Sequence, residues 1–367
     1  MAHHVCGSRD RRNPDHEDCG ASGSSGSSRR EFLISVAAVG AGALLPGELG
    51  AQITSSAGPR AGRLDVHHHI VPPSLLKALG TQRLAGASAN WTPAKAIEDM
   101  DQAGVSAGMS SIAPAGDPFN DPSTAPRFCH ESNDYAARLA ADYPRRFGVF
   151  ASLPLPNIDA SLREIEYAFD TLKADGIGLF TSYGPKWLGD PAFNPVFEEL
   201  NRRNAVVYTH PNTADCCRNL LPNIGDGAIE WGTDTTRAIT QMIFGGAQAR
   251  YPNVRMIFSH GGGTMPFLVE RFANMARGPQ MAARFPQGFA GAAEKFYYDT
   301  AQVANPAAMS ALSKVVPVSR IVFGTDFPFR TAGEHVKGLK DCGVFNANAL
   351  QGIDRENALP LLPRFRT

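Results

Sequence analysis

From Leu64 onward the chain alternates short apolar runs with longer stretches of helical periodicity, and this alternation is the tightest constraint on its fold. The apolar runs read as eight strands: Leu64 to Val71, Val105 to Ala113, Phe147 to Leu155, Gly176 to Ser182, Ala205 to His210, Val254 to His260, Phe296 to Ala301 and Ile321 to Asp326. Helical patterns fall between them at Pro93 to Ala103, Arg127 to Tyr143, Ala160 to Lys173, Asn194 to Arg203 and Thr235 to Ala249. Strands joined through helices pair in parallel, and eight such units close into a (β/α)8 barrel of the α/β class. A doubly wound open sheet would carry a Gly-rich phosphate loop after its first strand, where this chain has Val71-Pro72-Pro73.

In a barrel the chemistry sits at the carboxyl ends of the strands, and four of these ends carry metal-binding side-chain types. The first run, Leu64-Asp65-Val66-His67-His68-His69-Ile70-Val71, holds three consecutive histidines. Period-two alternation puts His67 and His69 on one face and His68 on the other. His210, His260 and Asp326 each end an apolar run where a Gly or Pro turn begins. One polar residue at a strand end commonly does no more than cap a loop; the coincidence of four in one chain argues for a shared site. His67, His69, His210 and Asp326 would hold a single divalent ion and leave one or two positions for water or substrate. Three imidazoles and a carboxylate suit zinc, with manganese or iron as alternatives. A bridging Lys or Glu, as a binuclear site would need, is missing from Gly176 to Ser182, which favours one ion. His260 is then free to move protons; its alternative role is a further imidazole ligand, which would saturate the metal.

The 367 residues carry 35 Lys plus Arg and 35 Asp plus Glu, so no basic field for nucleic acid is expected and small-molecule chemistry is favoured. Residues 1–60 differ in composition and read as a disordered N-terminus, with the barrel domain spanning residues 62–367. Within it, Ser28-Arg29-Arg30-Glu31-Phe32-Leu33-Ile34 resembles a twin-arginine export signal. The apolar run that follows, about 14 residues, is too short to span a bilayer comfortably. Periplasmic or extracellular residence, without stable membrane insertion, is the expectation. Cys129, Cys216, Cys217 and Cys342 show neither a disulfide framework nor zinc-finger spacing, and Cys216-Cys217 read as loop residues. Pro211 to Gly232, Arg277 to Glu294 and Leu75 to Trp91 are long connections expected to wall the site or meet a partner.

Taken as a set, Asp65-Val66-His67-His68-His69 with Pro72-Pro73, Tyr208-Thr209-His210-Pro211, Ser259-His260-Gly261-Gly262-Gly263-Thr264-Met265-Pro266 and Gly324-Thr325-Asp326-Phe327-Pro328-Phe329 resemble the amidohydrolase-related decarboxylases. Within that family the likeness is to aminocarboxymuconate-semialdehyde decarboxylases and 6-methylsalicylate decarboxylases. The resemblance implies a metal-dependent barrel whose zinc ligands match His67, His69, His210 and Asp326 and whose catalytic histidine matches His260. It also implies a homodimer in which Arg271 reaches the neighbouring subunit's substrate. Muconate-acting members carry a longer insertion with a second substrate arginine before the position matching Trp91. Here Thr81 to Asn90 is short, with Arg83 as the stand-in.

The expected reaction is non-oxidative loss of CO2 from a small aromatic or unsaturated acid. Protonation of the carbon that bears the carboxylate is the expected route, with Asp326 or His260 as donor, Arg271 on a substrate oxygen, and Trp91, Phe180 or Trp231 on the ring. The rival reaction is hydrolysis of a lactone or amide with the same ligands. A metal-scavenging protein without turnover is a third reading.

Overall fold

The computed structural model describes residues 62–366 apart from 81–83, 85 and 114–116. The twin-arginine segment and Arg83 lie outside the described residues. Eight parallel strands follow one another around a single sheet: β1 (Arg63–Ile70), β2 (Val105–Ile112), β3 (Phe147–Ser152), β4 (Gly176–Phe180), β5 (Val206–His210), β6 (Arg255–Phe258), β7 (Tyr297–Asp299) and β8 (Ile321–Val322). The sheet closes where the chain after β8 runs beside β1. Val66 N–H donates to Phe323 O at 3.0 Å, Asp326 N–H to His67 O at 2.8 Å, and His68 bridges Phe327. The fold is the expected (β/α)8 barrel.

The principal helices alternate with these strands: α1 (Pro93–Ala103), α2 (Ala125–Asp142), α3 (Ile158–Glu166), α4 (Asn194–Arg202), α5 (Glu230–Phe244), α6 (Met265–Met275), α7 (Pro306–Val315) and α8 (Ala332–Asp341). Their starts are legible in the chain. The Thr92 hydroxyl accepts from Lys95 N–H ahead of Pro93, Asn157 and Asn305 cap α3 and α7, and Thr331 with Glu334 forms a capping box. Several strands end sooner than the apolar runs do. β8 stops at Val322 and β6 at Phe258, and the residues beyond them turn out of the ladder into the barrel mouth.

Alternation along the strands builds two apolar layers. One face joins Ile177, Leu179, Val207, Met256, Phe258, Ile321 and Phe323 to the helices. The other fills the barrel with Leu64, Val66, Met109, Phe150, Tyr208, Ile257 and Val322, and the C-terminal residues Leu361, Leu362 and Phe365 pack on this cluster. Arg255, at the start of β6, holds Pro360 O, which seats that segment at the amino-terminal end of the strands. Burying a side chain such as Phe365 there contributes on the order of 2 kcal/mol. The amino-terminal mouth is thus packed shut.

The β1–β2 register shifts twice, between Arg63 and Leu64 and again between Asp65 and His68, and the second shift falls at the histidines. Asp65 pairs with Gly108 but His68 pairs with Ser110, so β1 carries an extra residue between those positions. Val66 therefore joins the interior cluster while its neighbour His67 also faces the mouth. A bulge re-aims the side chains that follow it, and here it converts apolar filling into a histidine pair.

Candidate metal centre and active-site pocket

His67 and His69 on β1, His210 at the end of β5 and Asp326 beyond β8 bring four ligand atoms within 4.8 Å of one another, all buried. His67 Nε2 lies 3.1 Å from His69 Nε2, and these nitrogens lie 3.1 and 3.0 Å from Asp326 Oδ1. His210 Nε2 is 4.0 Å from the same oxygen and, though buried, has no hydrogen-bond partner. Buried polar atoms in native proteins are normally paired, so imidazole nitrogens turned towards one another around one carboxylate oxygen fit a shared cation.

The opposite ring edges explain how each Nε2 comes to face inward. His67 Nδ1 meets Asp299 Oδ2 at 2.8 Å, His210 Nδ1 meets Pro211 O at 2.8 Å, and His260 Nδ1 meets Ala301 O at 3.0 Å. Carboxylate and carbonyl oxygens only accept, so these Nδ1 atoms carry hydrogen, and Nε2 is the nitrogen each ring can offer to a cation once it is unprotonated. Ser111 Oγ, 3.1 Å from His69 Nδ1, serves the remaining ligand. Gly324 makes the His67–Asp299 contact possible. A Cβ on it would come within 2.9 Å of His67 Cβ and 3.0 Å of Asp299 Cβ.

Electrostatics follow burial and charge. Burial lowers the His69 pKa against the opposing Asp326 hydrogen bond, and it drives His210 well below the ordinary value, reinforced by His69 and His67. His260 is lowered by burial and by His67. At Asp326 burial acts upward, but the His67 charge and hydrogen bonds from His67 and His69 hold the carboxyl well below its usual range. His67 is the exception. Burial acts downward, yet Asp299 and Asp326 together raise it to about 10. Its proton is the one a cation would displace.

Beside His210 opens a pocket walled by Ile112, Phe119, Leu153, Leu179, Phe180 and Tyr183, with Ser111, Ser152 and Tyr208 adding polar atoms. Phe119 and Phe180 meet edge to face at 4.7 Å, so the wall is largely aromatic. Among the described residues no Lys or Arg lines it. Trp231, expected as a substrate contact, stands against His210 with ring centroids 5.6 Å apart, and its indole N–H donates to Thr213 Oγ1. Trp91 is placed elsewhere: it is buried in the outer layer against Tyr135 and does not line the pocket. Arg271 is exposed on α6. Cys216 and Cys217 are joined to each other, a pairing between neighbours that the sequence reading did not foresee, and neither is in the ligand cluster. Among the described residues no Lys or Glu joins the ligand cluster in place of the missing fourth-strand one. Thr181 and Ser182 after β4 instead donate to buried Asp234.

Sequence reasoning overlooked four contributors. Asp65 accepts from His67 N–H, Thr325 N–H and Thr325 Oγ1–H, tying β1 to the turn that carries Asp326. Asp299 holds His67 through one oxygen and His260 N–H and Ala301 N–H through the other. Ser111 and Gln302 complete the set, the latter donating its side-chain amide to Asp326 Oδ2. Asp65 stood in the quoted motif without a role, and Asp299 ends a strand as the ligands do; nothing in the chain signals Ser111 or Gln302.

A parallel barrel with a buried three-histidine, one-carboxylate cluster at its carboxyl-end mouth defines the class of metal-dependent barrel enzymes. The chain belongs to the amidohydrolase family, whose sequence model matches residues 64–364. It is 35% identical over 324 residues to the decarboxylase yanB of Aspergillus niger, covering 83% of this chain and 88% of that protein. It is 33% identical over 319 residues to the 6-methylsalicylic acid decarboxylase of Penicillium expansum, covering 83% and 97%. In fold it is similar to the crystal structure of a dihydroxybenzoic acid decarboxylase from a Polaromonas species, with bound manganese and the inhibitor 2-nitroresorcinol. That likeness has a TM-score of 0.68 at 20% identity and covers 83% of this chain and 98% of the other. With such relatives along most of its length, the protein is an enzyme, a carbon-carbon lyase of the carboxy-lyase type.

Proposed function

We propose that the protein removes CO2, without oxidation, from a small aromatic acid that carries a hydroxyl beside its carboxylate, and that it does so with one divalent ion held by His67, His69, His210 and Asp326. The observation that carries this reading is the cluster itself, four ligand atoms within 4.8 Å at the edge of an aromatic pocket. The names of the relatives support the same substrate class. A bound cation would supply Lewis acidity and a template for adjacent carboxylate and hydroxyl oxygens. The donor set favours zinc, with manganese as the competitor.

His260 moves the proton. Its Nδ1 is committed to Ala301 O, so Nε2 takes the substrate's hydroxyl proton and returns it to the ring carbon that bears the carboxylate. The carbon–carbon bond then breaks, its electron pair restores the aromatic ring, and CO2 leaves. Asp326, held as a carboxylate, serves as ligand and not as proton donor. Phe180 and Trp231 pack on the ring.

Two further readings belong to this proposal. Phe267 (88% exposed), Arg271 and Met275 (65% exposed) recur at helical spacing on one face of α6, a surface suited to a second copy of the chain that would carry Arg271 to its neighbour's substrate. The twin-arginine motif supports export. Phe267→Asp should convert a dimer to monomer in light scattering, and cell fractionation should place the native chain outside the cytoplasm.

The deciding assay follows CO2 and ring absorbance together on metal-loaded protein offered 2-hydroxybenzoic acids, 6-methylsalicylate and lactone acids. CO2 release that fails after chelation and returns with zinc is the expected result. Acid production without CO2 would transfer the site to the hydrolases.

A further inference from the structure

Among the described residues, the mouth brings together three non-glycine residues in the left-handed backbone region: His260 at φ 53°, Gln302 at φ 57° and Asp326 at φ 64°. That conformation is costly for residues with a side chain and persists where the surroundings impose it, most often at functional sites. His260 and Asp326 already have roles. Gln302 is held as firmly as they are. Its N–H donates at 2.8 Å to Nε2 of buried His335, whose Nδ1–H is spent on Thr331 O, so His335 can only accept there. Its side-chain Nε2 donates to Oδ2 of Asp326, the oxygen turned away from the three imidazoles. Gln302 is nonetheless exposed. Its Oε1 and second Nε2–H make no hydrogen bond within the described chain, which leaves a paired acceptor and donor at the mouth, anchored to a metal-ligand carboxylate.

The geometry points to Gln302 as a substrate-positioning and specificity-determining residue that binds the hydroxyl ortho to the departing carboxylate. A hydroxyl is both donor and acceptor: before its proton passes to His260 it matches the free carbonyl and N–H of a primary amide, and afterwards the phenolate oxygen keeps the N–H as donor. A methoxy group in that place cannot donate to Oε1, and an unsubstituted ring offers nothing. The anchored amide would thus turn a difference of one hydrogen into a difference in affinity, because its own polar atoms go unpaired with the wrong ligand. This inference rests on the decarboxylase reading above.

The test compares the full-length metal-loaded protein with Gln302→Met and Gln302→Asn. Metal content is read by mass spectrometry, binding of salicylate, 2-methoxybenzoate and benzoate by calorimetry, and kcat and KM on 6-methylsalicylate. Gln302→Met should keep stoichiometric metal and lose about tenfold in salicylate affinity, the size of one hydrogen bond to a charged or buried group. Its 2-methoxybenzoate affinity should hold, so that discrimination collapses. Gln302→Asn, which tolerates the left-handed backbone and retains a shorter amide, should move the same ratio less far. Unchanged discrimination in Gln302→Met beside an active wild type overturns this inference alone. Metal loss in parallel with binding loss would reduce Gln302 to a buttress of Asp326 and also overturn it. A wild type that neither binds nor decarboxylates these acids overturns the parent reading and this inference with it.

Discussion

The ligand-bearing strand ends of β1 and β5 and the end of β7 do comparable work at the metal centre, yet only the former announce themselves in the chain. His67, His69 and His210 stand out because three imidazoles at strand ends have little use other than a cation. Asp299, Ala301 and Gln302 look like the ordinary end of a buried strand. In the folded protein this short run touches three of the principal groups: Asp299 holds His67 and the His260 backbone, Ala301 O orients the His260 ring, and Gln302 bonds Asp326. The comparison teaches that ligand identity is a local property and ligand orientation a long-range one. A β7 carboxylate reaches a β1 imidazole only because the barrel closes and Gly324 of the intervening chain has no side chain.

That contrast breaks first at the ligands. His210→Ala should leave less than about 0.1% of wild-type turnover with metal affinity lowered, since it removes one of the four ligands and disturbs the geometry of the other three. Retained metal and turnover would dismiss the cluster as a centre. His260→Ala should cost on the order of 10²- to 10⁴-fold in kcat while metal remains near stoichiometric, the magnitude of a proton-transfer group. Concurrent loss of metal would recast His260 as a ligand.

The silent region gives the next largest effects. Asp299→Asn keeps the size of the side chain but removes the charge behind His67 Nδ1, and metal affinity should fall roughly 10- to 100-fold. Equal affinity in a competition titration would reduce Asp299 to a structural cap. The same contact predicts a pH signature. Because Asp299 and Asp326 raise His67 to about 10 in the metal-free protein, its proton competes with the cation at every pH below that value. Apparent metal affinity should climb by about tenfold per pH unit between pH 7 and pH 9 and flatten above 10, a slope a metal-buffered titration can read. In Asp299→Asn the flattening should begin at lower pH. Ser111→Ala, which removes one neutral partner of His69, should be the mildest change, about 1 kcal/mol in metal binding, measured by the same titration.

Much of the architecture was legible because it depends on short-range patterns. Apolar runs separated by helical periodicity specify β/α units, and Thr92, Asn157, Asn305 and Thr331 mark helix starts by their own side chains. The apolar runs outlast the strands at β3, β4, β6, β7 and β8, since apolar character continues into chain that leaves the ladder. Trp91 illustrates the limit of residue type. An indole before α1 suits a binding site or a core equally well, and the fold placed it against Tyr135. The His67 and His69 pairing followed from period two, but the bulge that let Val66 fill the barrel below them did not.

By itself the amino-acid order determined the eightfold alternation, the capped helices and the chemical types of the ligands, all properties of residues within a few positions of one another. Tertiary structure alone decided which oxygen or nitrogen each ligand presents, which carboxylate stands behind His67, and that Gln302 meets Asp326. Those depend on barrel closure, on one inserted residue in β1 and on a missing side chain at Gly324, and such contacts join atoms far apart in the chain, 232 residues between His67 and Asp299 and 257 between His69 and Asp326.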